Sequence, residues 1–85
     1  MKINEVYTNN FMKLDIISVH TDNITTGTNN AIVRRINNDN TTKDFVVVRN
    51  LTTDDTNNTC QWGYAYAYDL QSLTEATELF ISKIS

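Results

Sequence analysis

The residues best suited to chemistry stand together in one stretch, Cys60-Gln61-Trp62-Gly63-Tyr64-Ala65-Tyr66-Ala67-Tyr68. Aromatic and small side chains alternate with period two. In a strand, Trp62, Tyr64, Tyr66 and Tyr68 therefore share one face, and Gly63, Ala65 and Ala67 the other. Tyrosines have high β propensity and pair well across strands, so such a row can be plain structure. Trp and Tyr are also the residues enriched where proteins grip one another. Exposed rings can stack bases as well, with Arg34, Arg35 and Arg49 on neighbouring strands reaching phosphates. Stacking of a sugar on the rings beside loop amides is chemically open, although no motif marks it. The expectation taken forward is a homodimer or a protein partner bound through Trp62, Tyr64, Tyr66 and Tyr68.

Catalytic chemistry finds less support. His20 and Cys60 are the only histidine and cysteine, and could in principle act as base and nucleophile. No nucleophile elbow or phosphate-binding loop accompanies them. Asp54 and Asp55 adjoin in a loop and point different ways, so they are not a paired acid and base. Asn37-Asn38-Asp39-Asn40 carries one carboxylate and lacks the glycine and terminal Glu of a calcium loop. One cysteine allows neither an intrachain disulfide nor a thiolate zinc cluster. The sequence thus predicts a non-catalytic protein with no cofactor, metal or evident small-molecule substrate.

Charge points the same way. Seven basic against ten acidic residues give a net charge of −3, whereas nucleic-acid binders concentrate Lys and Arg on one surface. Nucleic acid is therefore not the expected partner. Leu, Ile, Val and Phe supply 22 of 85 residues, enough for one thin core that association would help. The first ten residues do not resemble a signal peptide, and the longest aliphatic run is Val46-Val47-Val48, so a cytoplasmic protein without membrane spans is expected. The weight of Asn, Ile and Thr suggests a low-GC bacterium or its mobile elements. Four Asn-x-Thr triplets, at Asn23, Asn40, Asn50 and Asn57, are no more than 12 Asn and 13 Thr make unremarkable.

Asn and Thr also supply the punctuation, in a chain with two Gly and no Pro. Polar stretches 22–30, 37–42 and 52–59 read as loops, since Asn and Asp side chains bond the nearby backbone. Between them lie β-rich runs at 11–21, 31–36, 43–51 and 60–68. The first eight residues fit either a helical turn or an edge strand. Ser72-Leu73-Thr74-Glu75 has capping-box spacing, and Leu73, Ala76, Phe80 and Ile84 make one stripe, predicting a helix over 72–84. The three-residue link Asp69-Leu70-Gln71 turns that helix back over the sheet, with the small residues 63, 65 and 67 beneath it and the aromatic row facing away; the alternative is a helix on the aromatic face, which makes the row ordinary core.

The expected architecture is a single α+β domain over 1–85. It is a four-stranded, mainly antiparallel meander with one C-terminal helix and a possible extra N-terminal strand or turn. In such a meander the 22–30 and 52–59 loops meet at one end and gather Asp22, Asp54 and Asp55. Residues 31–39, Ala-Ile-Val-Arg-Arg-Ile-Asn-Asn-Asp, resemble a strand–turn segment of some small phage-encoded inhibitors of CRISPR nucleases. Over those nine residues the resemblance implies an inhibitor whose acidic loop surface occupies a nucleic-acid groove on its partner.

Overall fold

The computed structural model describes residues 1–3, 5–9 and 12–84. Among them are β1 (Val6–Asn9), β2 (Met12–Asn23), β3 (Thr28–Ile36), β4 (Thr42–Arg49), β5 (Thr52–Asp54), β6 (Thr59–Gln61), β7 (Tyr64–Leu70) and the helix α1 (Leu73–Ile84). The α+β class and the C-terminal helix on one face of the sheet agree with expectation. The four-stranded meander does not. One seven-stranded sheet runs β5-β6-β1-β2-β3-β4-β7, and its β1–β6 pair is parallel, so the sheet is mixed. The region expected as a loop at 52–59 holds β5 and the first residue of β6, strands of three residues each, too short to show a period; the single strand expected at 60–68 is broken at Trp62 and Gly63 into β6 and β7. The N-terminal alternative resolves to a strand, β1, and the first residue of the run expected at 11–21, Phe11, lies outside the described residues.

Strand order dictates the curvature. β4 and β5 are five strand spacings apart in the sheet, about 24 Å if it were flat. Only Asn50 and Leu51 join them, and three Cα steps reach at most about 11 Å. The sheet must therefore curl, and the β5–β6 hairpin crosses its concave face. Asn29 fixes this crossing. Its Nδ2 donates to the Leu51 carbonyl (3.0 Å), its Oδ1 accepts from the Leu51 amide (2.8 Å), and its own carbonyl accepts from Asn50 N–H (2.9 Å). Asn50 takes φ 60° there, a left-handed conformation that asparagine tolerates better than most residues.

Both faces of the central strands are covered, which explains the unbroken apolar runs in β3 and β4. Ala31, Val33, Val46 and Val48 point into the concave face with Tyr7, Leu14, Ile16, Leu51 and Cys60. Ile32 and Val47 point the other way and meet Ala76 and Phe80 of α1. The helix begins as its spacing predicts, with Ser72 Oγ accepting the Glu75 amide (3.1 Å). Leu73, expected in the buried stripe, is exposed instead. Loop asparagines and aspartates do local work: Asn23 Oδ1 accepts from the Thr25 and Thr26 amides, and Asp54 Oδ1 from those of Thr56 and Asn57. Among the described residues, no helix is long and apolar enough to cross a membrane.

Candidate functional site

The aromatic row does not stay on one face. Ala65 pairs with Val48 and Ala67 with Val47, so β7 uses two residues where β4 uses one; from Ala67 to Leu70 it again carries one more than β4. Each extra residue is a bulge that re-aims the side chains after it. Asp69, at φ 61°, sits in the second irregularity. Tyr66 consequently packs in the cluster under α1, while Trp62 and Ala65 pack against the concave core. The expected placement, small residues beneath the helix and the whole row facing away, is thus overturned. Gly63 is small for another reason: a Cβ there would lie 3.3 Å from the Asn50 Cβ, against the link that brings β5 across the sheet.

Tyr66 is an architectural residue. Its Oη donates to Asn30 Oδ1 (2.9 Å), the Lys83 ammonium lies 4.9 Å from its ring centre, and Tyr64 meets it edge-on at 5.4 Å. Burial, followed by its contact with Tyr64, pushes its hydroxyl pKa up. Trp62 and Tyr68 sit differently. Trp62 Nε1 donates to Tyr68 Oη (3.3 Å), and the Arg35 guanidinium lies 5.0 Å from the centre of the Tyr68 ring. These three residues line a cleft of about 570 Å³ with buried Leu14, half-buried Met12, and the amides of Asn9 and Gln61.

Every arginine singled out by the sequence faces a carboxylate. Arg34 reaches Asp15 (3.3 Å) and Thr42 (3.1 Å), and Arg49 pairs with Asp22. Arg35 holds Asp44 with two nitrogens, Nε at 2.6 Å from Oδ1, and has Asp69 at 3.6 Å. Burial alone would raise the Asp44 carboxyl pKa; the Arg35 bonds and the Asp69 amide outweigh it and hold it below the usual range. The same bond to Asp44 keeps Arg35 firmly protonated. These guanidiniums are committed to internal charges, which sequence reasoning could not see because each partner comes from another strand.

Comparison with protein-family models, with curated proteins and with solved structures finds no match to this chain.

His20 and Cys60 do not form a pair. Cys60 lies in the concave core, where burial raises its thiol pKa to about 11. His20 is exposed, with Nε2 3.6 Å from Asp22. The acidic loops are tied to different partners: Asp55 accepts from the Tyr7 hydroxyl (2.6 Å), and Tyr7 pairs with Leu14, whereas Asp22, eight residues further along β2, pairs with Arg49 of β4. Asp54 and Asp55 do point different ways, one capping its own turn and the other reaching Tyr7. Among the described residues, no group of three His, Cys, Asp or Glu is placed to hold a metal ion.

Proposed function

We propose that this chain is a small non-catalytic interaction protein that associates through the outer strand β7. One observation carries the reading. Among the described residues β7 pairs only with β4, yet it displays Tyr64 and Tyr68 at 53% and 48% exposure. Amphipathic rings on an outer strand are what protein contacts recruit. The two bulges keep this edge from presenting a long flat ladder, so side chains rather than backbone carry the contact. Internal pairing of Arg34, Arg35 and Arg49 leaves little for phosphates, which favours a protein over nucleic acid. A buried Cys60 thiol with a raised pKa, separate from His20, supports a binding role over nucleophilic chemistry. A free cysteine also suits a reducing, cytoplasmic setting.

The partner tested first is a second copy of the chain. Light scattering at high micromolar concentration is expected to give twice the monomer mass, and Tyr64→Ala to return it to one. A wild-type protein that remains monomeric there, indistinguishable from Tyr64→Ala, sinks self-association.

A further inference from the structure

We infer that the cleft between Trp62 and Tyr68 is a binding site for a neutral saccharide. The cleft shares Tyr68 with the proposed β7 contact but not Tyr64, so the Tyr64→Ala variant separates the two. The cleft volume, about 570 Å³, lies within the range of small-ligand sites. The ligand class follows from what lines it.

Charge comes first. Arg35 is neutralised by Asp44 and has Asp69 3.6 Å from its guanidinium. A phosphate or carboxylate would find no uncompensated cation. A cation would find no carboxylate among the described residues that line the cleft. The cleft suits a ligand without charge.

Polarity comes second. The amides of Asn9 and Gln61 each carry donors and an acceptor, as a sugar hydroxyl carries both. A purely apolar ligand would strip water from these groups without replacing its hydrogen bonds. The Tyr68 hydroxyl, which accepts from Trp62 Nε1, keeps its own proton to donate. Arg35, which lines the cleft, is held in place by its two bonds to Asp44, itself bound by the Asp69 amide at 2.9 Å.

Shape comes third. Trp62 packs against the concave core and is tethered through its indole nitrogen, so its ring is held before any ligand arrives. A pyranose has one face of C–H groups and a rim of hydroxyls. The C–H face matches the electron-rich face of an indole, and the rim matches the amides. A nucleobase would share the stacking, but the phosphates of its polymer would face an acidic protein whose arginines are already paired.

Trp62 is the only tryptophan, so its emission reports on this cleft alone. The full-length protein is titrated, into the millimolar range, with neutral oligomers of glucose, galactose, mannose and N-acetylglucosamine. Adenosine and an uncharged aromatic dipeptide are run in parallel. A saturable change with at least one oligosaccharide is expected, weakened about tenfold by Gln61→Ala. Gln61 is exposed, so this variant keeps its fold, which circular dichroism verifies; Tyr64→Ala should bind as the wild type does. No response to any saccharide, or a response to adenosine or the dipeptide in preference, overturns the inference.

Discussion

The two faces of the sheet are stabilised by different means. On the convex face the helix meets the sheet through apolar surfaces, Ile32 and Val47 against Ala76 and Phe80, which tolerate small adjustments, and the Tyr66–Asn30 hydrogen bond lies at the margin of that contact. On the concave face an apolar core is held in register by polar bonds, Asn29 to Leu51 buried and Arg35 to Asp44 and Tyr7 to Asp55 half-buried. The difference follows from topology. A helix can slide over a sheet until it fits, but a three-residue strand crossing a concave surface has too little apolar area to choose its own position. Directional bonds choose it instead. Polar residues within a β pattern can therefore be the parts that fix the fold, and the open cleft lies on that same pinned side.

Substitutions test this contrast. Asp44→Ala leaves Arg35 without its main carboxylate and frees the Asp69 amide, and should destabilise by about 3–5 kcal/mol, read from urea unfolding. Asn29→Ala leaves two backbone groups of Leu51 unpaired in the core, an expected loss of about 2–3 kcal/mol. Phe80→Leu, on the convex face, should cost only about 1 kcal/mol because the helix can resettle. If Phe80→Leu proves the more damaging of these, the contrast between the faces is wrong.

The smallest effect concerns acid. The Tyr7 hydroxyl, with the amino group of Met1, holds the Asp55 carboxyl at about 2, against about 3.9 in an unfolded chain. Its contribution is therefore complete above about pH 3.9 and is lost as pH falls toward 2. Asp44, also held low by its partners, acts in the same direction. Tyr7→Phe should flatten the acid limb of a stability–pH curve while leaving its neutral part parallel to wild type, below the range in which burial opposes ionisation of Tyr7 itself. An unchanged acid limb would show that the Tyr7–Asp55 bond does not fix the hairpin.

Much of the fold was legible locally. Ser72 and Glu75 announce the helix, and β3 lies across the run expected at 31–36. Asn23 bonds its own turn as a loop asparagine should, whereas Asn29 and Asn30, expected in the same loop, stand buried in β3. The candidate site was legible in its residues but not in its geometry. A strict period of two assigns Trp62, Tyr64, Tyr66 and Tyr68 to one face only if the strand is regular, and β7 is bulged twice against β4. The pairing of Arg34 with Asp15 and of Arg35 with Asp44 depends on cross-strand register, which period alone does not supply.

The sequence by itself determined the elements whose signals lie within a few residues: the capped helix, the longer strands, and the turns made by Asn and Asp. Only the tertiary structure decided which face each aromatic ring occupies, which charges are spent internally, and that a cleft opens beside Trp62. The physical reason is closure. Two residues, Asn50 and Leu51, must join strands from opposite sides of one sheet. The curvature this imposes, together with the bulges of β7, reassigned side chains that local periodicity had grouped together.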